Sequence, residues 1–255
     1  ESVQPRSLPL QGVRVIELSE GKCEMCGRFL ADLGADVILI EPPEGAASRH
    51  QPPLCNDQSL HFASHNANKR SVTLDLCSDY GCNTLLDLLD TAAIFIEALP
   101  PGGLADKGLP VTTLHRRNPA LIMLSITDFG QSGPYRDYVA TNAVMLAMGG
   151  VLARSGLKGE RPLLPPGALA YEASAIQATW VALLAYWQML HTGVGDHLDF
   201  SVFEATAQIL DPGLGVTGSA AGGRSAMELV PRGRPPMGVG YPIFACADSF
   251  VRICI

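Results

Sequence analysis

A chain of 255 residues, 47% hydrophobic and 17% charged, has enough apolar material for one substantial core and the start of a second domain, and too much for a disordered protein. Its formal net charge of −7 excludes the dominant basic field that general binding to nucleic acid or anionic membranes requires, so an anionic ligand must be met by local groups. Seven cysteines, an odd number at irregular spacings, read as buried thiols in a reducing compartment, which favours the cytoplasm.

The opening E-S-V-Q-P-R-S-L-P-L has neither a basic stretch nor an apolar run and does not read as a signal peptide. V-R-V-I-E-L (Val13 to Leu18) predicts a strand, followed by a helical stretch that Gly34 is placed to cap, then a second strand at Asp36 to Glu41. That is a parallel strand, helix, strand unit. Further strands are predicted at Ser71 to Leu76, Ala93 to Glu97 and Leu121 to Ile126. Helices are predicted near Ser78 to Leu89, with Ser78 as N-cap, and Val111 to Asn118. The alternation predicts an α/β fold, a Rossmann-like parallel sheet covered by helices on both faces. Ala170 to Leu190 reads as a helix about 30 Å long, apolar nearly all round and therefore buried, yet too short and too interrupted by Gln177, Thr179 and Gln188 to span a membrane. A last strand and helix (His197 to Leu210) complete a large domain over residues 1–210. Asp211 to Pro236, rich in Gly, Pro, Ser and Ala, reads as a linker, and residues 237–255 read as the start of a smaller domain, two strands around Ala247-Asp248-Ser249. A domain ending within an apolar strand is expected to be a fragment, or to need a partner over that edge.

Few residues stand out for chemistry. The first strand-to-helix turn lacks G-x-G-x-x-G, which argues against an ordinary NAD site, although Glu41 at the end of the second strand suits a ribose hydroxyl. Cys23-x-x-Cys26 has the spacing of a redox pair or half a zinc site, but Cys77 and Cys82 are the only candidates for the other half; a helix face turned to the core explains it better, and no metal is expected. The six histidines form no hydrolase triad. Arg49, Lys69 and Arg70 are conspicuous in an acidic chain, and in H-N-A-N-K-R-S-V-T-L-D-L the adjacent cations suit either a phosphate or simply a solvated loop.

Five segments, L-P-L-Q-G-V-R-V-I-E-L-S, F-L-A-D-L-G-A-D-V-I-L-I-E-P-P-E-G-A-A-S-R, N-K-R-S-V-T-L-D-L, N-P-A-L-I-M-L-S-I-T-D-F-G-Q-S-G-P-Y and H-T-G-V-G-D-H-L-D-F-S-V, together resemble the class III CoA-transferases (carnitine dehydratase, formyl-CoA transferase and α-methylacyl-CoA racemase) in register from about Leu8 onward. The resemblance implies a CoA thioester as substrate, a carboxylate acceptor, no metal, and either an interlocked homodimer or pairing with a second CoA-transferase-like domain. It implies a CoA site at the strand ends, its phosphates met by basic residues matched here by Arg49, Lys69 and Arg70, with Ala98-Leu99 where relatives keep Asn-Phe and Asp106 where they often keep a basic residue, a reversal that weakens CoA binding unless Lys107 compensates.

The catalytic position departs furthest. Relatives use an Asp near the start of the long helix as nucleophile, and counting back from Thr192-Gly193 puts Tyr171 there. A phenol cannot carry the acyl group, and Glu172 points about 100° away on a helix, so it rescues the chemistry only if it lies before the first turn. Three functions follow: a CoA-transferase active through Glu172 or a complete assembly; a silent half or scaffolding subunit of a tandem or hetero-oligomeric enzyme; or a racemase. In the last register the family's His falls on Thr141, beside Asn142, two residues that suit a helix start instead.

Overall fold

The structure, a computed structural model, describes residues 7–19, 21–155, 161–209, 243–245, 247 and 250–252. β1 (Arg14–Leu18) is an apolar run, and α1 (Met25–Asp32) returns the chain to β2 (Asp36–Glu41). α1 stops where glycine permits: Gly34 has φ +100°, and the Ala35 N–H reaches back to the Leu30 carbonyl at 3.1 Å. A β-carbon on Gly34 would stand 2.4 Å from that of Leu8, so the position demands glycine for space as well as conformation.

A 3-10 turn (Ala47–His50), a minimal hairpin of β3 (Leu54–Cys55) and β4 (Gln58–Ser59), and α2 (Leu60–Asn66) precede β5 (Arg70–Thr73), which is shorter than the predicted Ser71 to Leu76 and begins earlier. α3 (Asp79–Leu89) is capped as predicted, the Ser78 hydroxyl accepting from the Gly81 N–H at 3.0 Å. There follow β6 (Ile94–Glu97), α4 (Gly103–Asp106), α5 (Val111–Arg117), β7 (Ile122–Thr127), α6 (Asn142–Met148), α7 (Leu169–Thr192), β8 (His197–Ser201) and α8 (Val202–Ala207).

Six strands form one parallel sheet in the order β5-β2-β1-β6-β7-β8. The chain winds outward from β1 in one direction and then from β6 in the other. β1 and β6 therefore flank the switch point, where a crevice opens at the strand carboxyl ends. Alternate side chains feed two cores. Val15, Val37, Ile94, Ile96, Ile122 and Leu124 face α1, α6, α7 and α8, whereas Ile16, Ile38, Ile40, Phe95 and Met123 face the side that holds Leu85, Leu104 and Leu114. Burial on both faces is why the strands read as continuous apolar runs.

α7 corrects one expectation. Only a stripe of small residues, Ala170, Ser174, Ala175, Ala178, Thr179 and Ala182, is buried, while Ile176, Trp180, Leu184, Trp187 and Leu190 are exposed. Small side chains let the helix backbone approach α1 closely, and the bulky ones are left outside; uniform apolarity therefore did not mean uniform burial. β9 (Ile243–Ala245) and β10 (Phe250–Arg252) pair antiparallel as expected. The predicted linker at Asp211 to Pro236 lies outside the described residues. Among the described residues no helix is long and apolar enough to cross a membrane.

Candidate active site

The crevice divides into two clefts that share Ala98 and Leu99, just beyond β6. One, of about 630 Å³, lies over β1, β2, β5 and β6 and is walled by Leu18, Glu41, Leu74 and Lys107. The other, of about 210 Å³, lies beside β6 and β7 and is walled by Lys22, Thr127, Asp128 and Arg136. Ala98, Leu99 and Lys107 thus line one cleft.

The remaining cations do not. Lys69 is buried, its ammonium 2.7 Å from Glu17 Oε2, with the Glu24 carbonyl and Asn66 Oδ1 also at 2.7 Å. An ammonium holding three oxygens away from solvent has no face left for a phosphate. Its carboxylate partner is boxed in as well, since a β-carbon on Gly27 would fall 1.9 Å from Glu17 Oε2. Arg70 begins β5, level with Ile38 of β2, and grips Asp36 with two hydrogen bonds of 2.8 and 2.6 Å. That position is three residues back from the carboxyl ends. Arg49 makes a two-pronged pair with Glu41 at 2.5 and 2.7 Å and lies over the Phe62 ring. Arg49 foremost, with Ser71 and the Ala46 N–H, holds the Glu41 carboxyl down at about 2, so Glu41 is engaged rather than waiting for a ribose.

Tyr171 lies in the first turn of α7, with its ring against the core and its hydroxyl donating to the Ala140 carbonyl at 3.0 Å. Burial first, then the charge of Asp128, pushes the phenol well above its usual range, so it stays protonated. Glu172, also in that turn, is 46% exposed and places Oε1 4.0 Å from Nε2 of His65. The other nitrogen of His65 faces the His61 carbonyl at 2.9 Å, and the two imidazoles stack. Tyr171, Glu172, Gly21, Cys23, His61 and His65 line a pocket of about 10 Å³, room for about one water. Glu172 therefore meets solvent on the α2 side of the pocket while Tyr171 turns inward.

Thr141 and Asn142 are helix-start residues, as expected. Thr141 Oγ1 accepts from the Val144 N–H, and Asn142 bridges to the start of α7, accepting from the Ala170 N–H at 2.9 Å and donating to the Gly167 carbonyl at 3.3 Å. With Thr141 and Tyr171 both held by backbone groups, the racemase register presents no pair of bases. Cys23 and Cys26 are buried as the core-face reading expects; burial pushes the Cys26 thiol up to about 12 and that of Cys23 higher, which leaves both unreactive.

Sequence reasoning missed Asp128. It follows β7 directly, with a side chain 5% exposed; Oδ2 accepts from Lys22 Nζ at 2.8 Å and from the Ala140 N–H at 2.9 Å. Oδ1 is buried and has no partner among the described residues. The signal was positional: an acid two residues past the predicted strand Leu121 to Ile126 stands at the mouth of an α/β crevice.

Residues 10–255 match the family described as CoA-transferase family III. The chain is 43% identical over 238 residues to a probable CoA-transferase, Rv1866, of Mycobacterium tuberculosis, covering 93% of this chain and 30% of that protein. It is 31% identical over 273 aligned positions to a succinate–glutarate CoA-transferase of Agrobacterium fabrum, covering 98% and 64%. The crystal structure of a CAIB/BAIF family protein from Brucella suis superposes with a TM-score of 0.87 at 29% identity, covering 96% of this chain and 65% of that one. The chain thus spans between about a third and just under two thirds of the length of these relatives.

Proposed function

Given that this chain belongs to CoA-transferase family III, we propose that it binds a CoA thioester in the switch-point crevice and serves acyl-CoA:carboxylate CoA transfer without using residue 171 as the acyl carrier. The observation that supports this most is the state of Tyr171, a phenol kept protonated and tied to the Ala140 carbonyl. Such a group neither attacks a thioester nor forms an anhydride that CoA can reopen, so turnover needs a carboxylate from elsewhere. In this reading the CoA lies along the larger cleft, with Lys107 and the chain at Ala98 and Leu99 as contacts. The thioester end reaches over Leu99 toward the smaller cleft. A cytoplasmic location and an interlocked homodimer belong to the same reading.

Mass spectrometry of the chain incubated with succinyl-CoA tests it. Native spectra should show bound CoA, and denaturing spectra no adduct on Tyr171; an adduct there, or no bound CoA, contradicts the reading.

A second reading is a silent half, paired with a CoA-transferase-like domain that supplies the carboxylate. It is favoured by the exposed apolar face of α7 and by a relative of which this chain covers only 30%. Thioester exchange by the isolated chain separates the two, and its loss in Glu172→Gln would make Glu172 the carrier.

A further inference from the structure

The smaller cleft contains a carboxylate that the fold does not explain. Buried polar groups in native proteins almost always find partners, and an ionised oxygen without one carries a desolvation cost that packing does not return. Asp128 is such a case: Lys22 and the Ala140 N–H both bind Oδ2, and Oδ1 has neither solvent nor, among the described residues, a partner. Glu17 Oε2, which also lacks a hydrogen bond, differs in having the Lys69 ammonium 2.7 Å away and in lining neither cleft. Its place is also telling. Ala140 holds Asp128 by its N–H and the Tyr171 hydroxyl by its carbonyl, so the phenol and the carboxylate are anchored on one residue. Lys22 stands where a leaving thiolate would gain a cation. The outer wall of this cleft is the exposed run 132–139, which includes Arg136 and Tyr138, and reaction at Oδ1 requires that wall to move far enough to uncover it. Glu172, by comparison, is half in water and faces His65.

We propose that Asp128, held by Lys22, is the carboxylate on which this chain forms its acyl and CoA intermediates in place of residue 171. The proposal rests on the thioester-binding reading above. An Asp128 oxygen attacks the thioester carbonyl carbon; the C–S bond breaks, and its electron pair leaves with sulfur as CoA thiolate beside Lys22. The thiolate then attacks the Asp128 carbonyl carbon of the mixed anhydride. The C–O bond to that carbon breaks, releasing the acyl group as a free carboxylate and leaving an Asp128–CoA thioester. An acceptor carboxylate reverses both steps, regenerating the Asp128 carboxylate and a new acyl-CoA. No proton, oxidant or reductant is consumed.

The test treats the full chain with succinyl-CoA, traps with hydroxylamine and maps the resulting hydroxamate by peptide mass spectrometry. The expected result is a hydroxamate on the peptide bearing Asp128, lost to background in Asp128→Asn and kept in Glu172→Gln. Because mapping is done on the unmutated chain, a variant that fails to fold does not blunt the test. A hydroxamate on Glu172 overturns the proposal. Bound CoA with no hydroxamate anywhere overturns it while leaving the thioester reading in place, and absence of CoA binding overturns both.

Discussion

On the β5–β2–β1 side of the crevice the conspicuous cations meet carboxylates: Lys69 meets Glu17, Arg70 meets Asp36 and Arg49 meets Glu41. On the β6–β7 side, Asp128 has one oxygen saturated by Lys22 and Ala140 and the other without a partner among the described residues. The first side is built by matched charges whose removal weakens the fold. The second also holds an ion pair, Lys22 with Asp128 at 2.8 Å, and each side has one buried carboxylate oxygen without a hydrogen bond among the described residues. The difference is that Glu17 Oε2 has the Lys69 ammonium 2.7 Å away and lines neither cleft, whereas Asp128 lines the smaller one.

The sharpest way to break this contrast is Lys69→Met. It leaves Glu17 buried without its counter-charge and should cost about 3–5 kcal/mol in urea unfolding, while a loss below about 1 kcal/mol would remove the matched-charge account. Gly27→Ala pushes a β-carbon to 1.9 Å from Glu17 Oε2 and should cost about 1–3 kcal/mol by the same measurement. Arg49→Ala should cost about 1 kcal/mol, a modest figure because the guanidinium is 42% exposed and screened. Its signature is in pH. The Glu41 carboxyl is held at about 2, below its ordinary 4.5, so the stability it contributes is complete above 4.5 and is lost as pH falls through 2. The variant's urea midpoint should therefore fall less over that window than the parent's. Smallest of all, Tyr171→Phe removes one hydrogen bond, costs under about 1 kcal/mol, and should leave CoA binding unchanged; weakened binding would put the phenol itself in the ligand's path.

The fold was legible because doubly buried strands leave apolar runs, and Ser78 and Gly34 mark helix ends by local chemistry. α2 and the β3–β4 hairpin were not, since each is too short for periodicity to register. The outward face of α7 was hidden because its inward stripe of Ala, Ser and Thr is no more apolar than the Trp and Leu left outside. Near the clefts, the positions of Tyr171, Ala98, Leu99 and Lys107 were singled out by family register, with Glu172 as the neighbour of Tyr171, and the roles given to them remain proposals. The roles of Lys69, Arg70 and Arg49 could not be read from the chain, because their partners are fixed by strand register and loop closure. Asp128 escaped for the same reason, since an unmatched oxygen becomes visible only once every neighbour has a position.

Hydrogen exchange with and without a CoA thioester tests the central claim most directly, because the molecule offers a rival groove of about 640 Å³ between α7, β8 and α8, lined by Trp180, Phe200 and Gln208. The account predicts protection in the segments that follow β1, β6 and β7, with α7 and α8 unchanged beyond the turn that holds Tyr171. Protection centred on Ile176–Gln208, with the three carboxyl-end loops unaffected, would contradict it.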